Sequence, residues 1–239
     1  MSTLLLVRHG QARLFTADYD RLSDIGLSQA GALADFWLDR GIRPDSVYSG
    51  TMIRQRQTAD AVGKVFTTTG EVWPEPQEIS GLNEYPAKEI TESLLPVLRK
   101  TDSGFERLAA DFESSKNRAD KYRNLHRLLE AVIACWVSND YGNADVPVSW
   151  NTFSEGVRTT LRDVMSNAKS GKTIALFTSG GPVAISVQTF LQAPDIKAAE
   201  LNWRVHNCSV TRYTFSAERV SLDSFNDVSH LPPEMHTYR

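Results

Sequence analysis

The residues best suited to chemistry begin at Arg8–His9–Gly10, which closes the apolar run Thr3–Val7. An arginine offers a planar fork that matches phosphate oxygens, and a glycine lets backbone approach a bound group closely. An imidazole between them can attack phosphorus or move a proton. Taken alone, the triplet reads equally well as a surface ion pair beside a strand-ending histidine. Three further stretches bear on the choice. Residues 46–59 read SVYSGTMIRQRQTA, where Arg54 opens a helix after a strand and Arg56 reads as an ordinary solvated helix arginine. Residues 81–85 read GLNEY, with Glu84 in a loop bounded by Gly81 and Pro86. Residues 176–183 read LFTSGGPV, a buried strand, a tight turn and a helix start with Ser179 at the apex.

The apex serine does not fit a hydrolase nucleophile elbow, G-x-S-x-G, because Phe177 stands two positions before it. A helix cap is the simpler reading. Gly180, Gly181 and Pro182 then begin the helix, whose free N–H groups and dipole form an anion-binding end.

These residues need elements to hold them, and the pattern supplies strands alternating with helices. Thr3–Val7, Ser46–Ser49 and Thr173–Thr178 read as buried strands, with Val72–Pro76 extended. Ser23–Gly41, Met52–Val65, Thr152–Ala168 and Pro182–Leu191 read as helices, the first with Leu27, Ala30, Leu33, Ala34, Trp37 and Leu38 on its apolar face. Ser209–Phe215 and Arg219–Phe225 form an expected hairpin at the sheet edge. The fold class expected is α/β, three layers with a mostly parallel central sheet in one domain over residues 1–239. A charged helical stretch over about 88–148 breaks the rhythm and reads as an insertion packed over the working edge, before and through the polar break at Tyr141–Pro147. In such sheets ligands sit beyond the carboxyl ends of the strands, where both RHGQ and TSGG fall.

Composition narrows the partners. The chain has 239 residues, is 41% hydrophobic and 23% charged, and carries a formal net charge of −3. That balance predicts neither a nucleic-acid nor an anionic-membrane partner. No segment reaches the apolar length of a membrane span, and no leader is apparent at the N-terminus, so a cytoplasmic location is expected. Cys135 and Cys208 have no metal-ligand or disulfide spacing, and Cys135 reads as a buried thiol. Neither a metal nor a cofactor is expected.

Together the four stretches resemble the histidine phosphatase superfamily, the phosphoglycerate mutase-like family. LLLVRHGQ is similar to its signature strand and turn, RQRQTA to its second arginine motif with Gln55 in place of the usual alanine, and GLNEY to its acid/base loop. DRLSDIGLSQA and SFNDVSHLP resemble further segments of the family. The resemblance implies His9 as a nucleophile that becomes phosphorylated, Arg8 and Arg54 as phosphate clamps, and Glu84 as acid/base. Gly10, Gln11, Ser179 and Gly180 are then the expected substrate-binding residues. One departure stands out. The family's fourth motif is S-H-G-G, and TSGG puts Ser179 where its second histidine belongs. Serine can donate one hydrogen bond but carries no charge, and loss of one preorganised donor costs about 2.7–4 kcal/mol of transition-state stabilisation. His206 and His230 are the candidates to replace the imidazole.

The implied activity is hydrolysis of a small phosphomonoester through a phosphohistidine, slow on generic substrates. The regions RHGQARLF and NEYPAKE differ from those of glycolytic mutases, R-H-G-E-S-x-W-N and N-E-R-H-Y-G, so mutase activity ranks lower. A non-catalytic phosphate-ligand binder is the alternative. Ser179 favours it, and retention of His9 and Glu84 opposes it.

Overall fold

Leu4 and Leu6 are buried on one face of the central sheet, Leu5 and Val7 on the other. This period of two along β1 (Ser2–Arg8) is what a strand covered on both sides requires. The computed structural model describes residues 1–13 and 18–238; Leu14 and Phe15 of the RHGQARLF stretch lie outside the described residues. β1 is followed by α1 (Asp24–Asp39), β2 (Ser46–Ser49), α2 (Ile53–Thr68), β3 (Gln77–Glu78), α3 (Ala87–Thr101), α4 (Ser103–Glu113) and α5 (Arg118–Ser138). Then come α6 (Trp150–Ser166), β4 (Thr173–Thr178), α7 (Gly180–Phe190), α8 (Ile196–Asn202), β5 (Val210–Phe215) and β6 (Val220–Asp227).

The six strands lie in the order β3-β2-β4-β1-β5-β6. β1, β2, β3 and β4 run parallel, while β5 pairs antiparallel with β1 and β6 closes the edge as the hairpin partner of β5. β1 and β4 pair from Thr3↔Thr173 to Arg8↔Thr178, so the turns after the two strands leave the sheet side by side. That register brings RHGQ and TSGG to one place.

α1 and α2 cover the face of Leu5, Val7, Ala175 and Phe177. The other face, with Leu4, Leu6, Ile174 and Leu176, packs against α6 and α7 and shares its apolar cluster with Leu94, Leu98, Leu128 and Val132 of the 88–148 stretch. That stretch is helical as its periodicity predicts. Trp136, Trp150 and Phe153 form an aromatic group with Tyr85, whose ring lies 5.1 Å from that of Trp136.

Several local expectations are corrected. Leu27 is exposed and the inward face of α1 is turned toward Gly26 and Gln29, because Gln29 is buried to tie the 10–11 loop to the C-terminal tail. The extended segment contributes a strand only at Gln77–Glu78, just beyond Pro76, while Val72 stays in water. Cys208, not Cys135, is the buried thiol. α8 was not legible as a helix in the sequence: it is short, and its apolar residues Ala198 and Ala199 are small.

Candidate active site

The end of β1 delivers Arg8 and His9 into the crevice beyond the sheet, and both are buried. His9 is held by its own backbone first. Its N–H donates to Thr178 O at 2.8 Å, and its carbonyl accepts from Cys208 N at 3.1 Å and Asn207 Nδ2 at 3.3 Å. The ring follows. Nδ1 lies 2.7 Å from Gly10 O, and a carbonyl only accepts, so Nδ1 carries the hydrogen. Nε2 lies 3.1 Å from Arg54 Nε, which only donates, so Nε2 presents its lone pair. Burial, then the charges of Arg54 and Arg8, push the His9 pKa well below 6.5, against the opposing Gly10 bond. The result is a neutral imidazole whose one lone pair, on Nε2, accepts from Arg54.

Arg54 sits in the first turn of α2, buried, whereas Arg56 is exposed and pairs with Glu78. Asp20 accepts from Arg54 Nη1 at 2.6 Å through one carboxylate oxygen and from Ile53 N at 2.8 Å through the other. It thus orients the guanidinium and caps α2 together. Arg8 donates through Nη1 to Val205 O, in the turn after α8.

Glu84 follows a single 3₁₀ turn at Ser80–Leu82 and reaches the N-terminus of α7. Its carboxylate accepts from Gly181 N at 3.1 Å and from Tyr85 N at 3.2 Å. Residue 181 must be glycine for this approach, since a Cβ there would stand 2.2 Å from Glu84 Oε1. Burial is the largest influence on the Glu84 carboxyl and raises its pKa above 4.5, against the two N–H bonds and the charges of Arg54 and Arg8. The anion-binding end of α7 therefore holds a carboxylate of the protein itself.

Ser179 occupies the N-cap position of α7, but its side chain makes no capping bond. It is fully buried, and its Oγ accepts from Gln55 Nε2 at 2.8 Å. Gly180 opens the helix beside Asn202 Oδ1. Gly10 donates to Thr58 Oγ1 at 3.0 Å, while Gln11 accepts from Ser23 Oγ at 2.8 Å and donates its backbone N–H to Gln29. These bonds anchor the first loop to α1 and α2.

The two histidines that might have supplied a second imidazole are engaged elsewhere. His206 contacts the Asn226 side chain, and its ring centroid lies 4.2 Å from that of Tyr238. Burial first, then nearby His236 and Arg8, lower its pKa. His230 packs beside Phe36 of α1, and burial takes its pKa to about 4. Neither ring is hydrogen-bonded to His9, Arg54 or Glu84 among the described residues. No cluster of three or more His, Cys, Asp or Glu side chains is placed to hold a metal among them either.

Sequence reasoning missed Asp20, Asn207 and the partnership of Gln55. Asp20 opens the DRLSDIGLSQA segment with no motif to single it out, and Asn207 stands beside His206, the more conspicuous residue. Gln55 carried a signal, its departure from the expected alanine, but no partner could be assigned to it.

The model of the histidine phosphatase superfamily (branch 1) matches residues 4–106 and 119–228. Sequence comparison with curated proteins gives no match. Among solved structures, a phosphoserine phosphatase mutant from Entamoeba histolytica in complex with phosphoserine aligns with TM-score 0.62 and 19% identity, over 97% of this chain and 100% of that one. A phosphoglycerate mutase from Bacillus anthracis aligns with TM-score 0.62 and 18% identity, over 96% and 94%. A mycobacterial glucosyl-3-phosphoglycerate phosphatase with inorganic phosphate aligns with TM-score 0.57 and 19% identity, over 96% and 99%. At these identities the likeness is one of fold.

Proposed function

The chain belongs to the histidine phosphatase superfamily, and on that footing we propose that it hydrolyses a small phosphomonoester through a phosphohistidine at His9. The observation that carries the reading is the ring of His9, neutral, with its Nδ1 hydrogen given to Gly10 O and its Nε2 lone pair facing Arg54. A nucleophile needs that lone pair; this tautomer puts it on Nε2, where Arg54 must release it as the phosphoryl group arrives.

Nε2 of His9 attacks phosphorus while the ester P–O bond breaks, and Arg8 and Arg54 spread charge over the nonbridging oxygens. The phosphoryl group takes over the bond that Arg54 now makes to Nε2. Glu84, whose raised pKa favours its acid form, gives a proton to the leaving oxygen. The same carboxylate then takes a proton from water as the water attacks the phosphohistidine, releasing inorganic phosphate and restoring both groups. No redox partner enters this balance.

Phosphatases among the structural neighbours support the hydrolytic direction, including those for phosphoserine and glucosyl-3-phosphoglycerate. The opposing observation is Ser179, fully buried where the family pattern has a second histidine, which favours phosphate binding without turnover. Steady-state hydrolysis of p-nitrophenyl phosphate over about pH 5–8, beside His9→Ala, decides between them. Turnover that disappears with His9 is expected. Equal rates for the two proteins, together with retained phosphate binding by calorimetry, would establish the binder instead.

A further inference from the structure

Gln55 is a long polar side chain with no exposed surface, one residue from Arg54. Its amide is used at both ends. Nε2 donates to Ser179 Oγ at 2.8 Å and to Leu82 O at 2.9 Å, while Oε1 accepts from Met52 N at 3.3 Å. Space for the amide depends on residue 50 being glycine, because a Cβ there would stand 1.9 Å from Gln55 Oε1. Thr178 Oγ1 reaches the same Leu82 carbonyl at 2.6 Å, and Thr178 O in turn accepts from His9 N.

Each partner leads directly to a site group. Leu82 stands two residues before Glu84, and Ser179 two before Gly181, whose N–H binds the Glu84 carboxylate. Met52 caps the helix start that presents Arg54. One amide therefore joins the three segments that deliver the clamp arginine, the acid and the N-terminus of α7. Gln55 and Ser179 are also both departures from the family motifs that the sequence resembles, and the structure puts them in contact.

We propose that Gln55 and Ser179 form a coupled pair in which Gln55 is a positioning residue, holding Glu84 and the α7 turn in place for phosphoryl transfer. The proposal rests on the phosphatase reading. It has a steric corollary. The Gln55 amide lies against Ser179 Oγ, so an imidazole built at 179 in the direction of that hydroxyl is expected to meet Gln55. A buried group packed this closely resists enlargement. Alanine at 55 is expected to relieve that contact.

The test uses the full chain, with p-nitrophenyl phosphate and β-glycerophosphate as probes and thermal unfolding alongside. Gln55→Ala should lower kcat about tenfold with KM within about twofold, and more for the alkyl ester, whose poorer leaving group depends more on Glu84. Gln55→Met keeps the volume without the amide and should fall as far as the alanine variant; wild-type kcat in it would reduce Gln55 to filler and overturn the positioning role. Ser179→His should lower both kcat and the unfolding midpoint, and Gln55→Ala/Ser179→His should recover both, with kcat at least about tenfold above Ser179→His. Additivity to within about twofold overturns the pair. If that additivity is found in a wild-type protein whose turnover needs His9, the pair alone falls. Wild-type turnover no faster than His9→Ala removes the phosphatase reading and this role with it.

Discussion

Around His9 the buried side chains are polar, and the atoms that matter are tied to carbonyls or to one another; the α3–α5 stretch is buried through leucines and tryptophans and keeps its charges outside. Gln55, Thr58, Thr178, Ser179 and Asn207 are almost completely removed from water at the site. In the α3–α5 stretch the corresponding buried residues are Leu94, Leu98, Leu128, Val132 and Trp136, while Arg99 pairs on the surface with Glu106 and Glu113. A polar knot specifies geometry, since each donor has few acceptors it can reach, and an unsatisfied one is costly. An apolar cluster specifies volume, and contributes stability in proportion to the area it removes from water. The two regions meet at Tyr85, whose backbone N–H binds Glu84 and whose ring packs on Trp136. Changes at the site should therefore move rates, and changes in the α3–α5 stretch should move stability, with Tyr85 as the point of leakage between them.

The sharpest test is His9→Ala, which should lower kcat for p-nitrophenyl phosphate by about a thousandfold or more while leaving the far-ultraviolet circular dichroism unchanged. On the other side, Trp136→Ala empties a fully buried site and abandons the bond from Nε1 to Val148 O. A loss of about 3–5 kcal/mol is expected in urea unfolding, with a much smaller change in kcat. A fall in kcat as large as that of His9→Ala, in protein that is still folded, would break the division between the regions.

Glu84→Gln comes next, at about a hundredfold on β-glycerophosphate and much less on p-nitrophenyl phosphate, because only the alkyl leaving group needs a proton. The pH profile of kcat/KM carries the signs. His9 acts neutral and its pKa lies below 6.5, so activity fails on the acid side; Glu84 acts as the acid with a pKa above 4.5, so activity fails as pH rises through it. Glu84→Gln should erase the alkaline limb and keep the acid one. The same His9 shift links pH to stability. The unfolded ring takes up a proton near 6.5 and the folded ring resists, so stability present above 6.5 is lost as pH falls, and His9→Ala should reduce that slope in urea midpoints, leaving the share that buried His230 and His206 contribute.

Asp20→Asn should weaken the hold on Arg54 and the cap of α2, with about 1 kcal/mol lost in unfolding and a rise in KM of about fivefold. The smallest effect belongs to Arg99→Ala. Its two ion pairs are in solvent, so neither kcat nor the unfolding midpoint should move measurably. A clear drop in the midpoint would mean that the α3–α5 stretch relies on its charged surface as well as its apolar side.

The strand-helix alternation and the pattern at β1 were legible because burial on two faces leaves a continuous apolar run, and the turns that follow carry unmistakable residue types. The α1 face was misread at Leu27 since periodicity counts apolar residues, while the fold chose to bury Gln29 for its amide. Ser179 was correctly placed at a helix start, but its partner lies 124 residues away in the chain. Spacing says nothing about such a pair.

The sequence by itself determined most of the longer elements and the family, because these follow from local periodicity and from short motifs at strand ends. Only the tertiary structure decided which nitrogen of His9 carries the hydrogen, that α7 receives Glu84 at its N-terminus, and that Gln55 meets Ser179. The Gly10 carbonyl that takes the Nδ1 hydrogen is a chain neighbour, but Arg54 on Nε2, Gly181 on Glu84 and Gln55 on Ser179 are donors brought from distant segments to within about 3 Å, a distance at which angle and partner matter more than residue type.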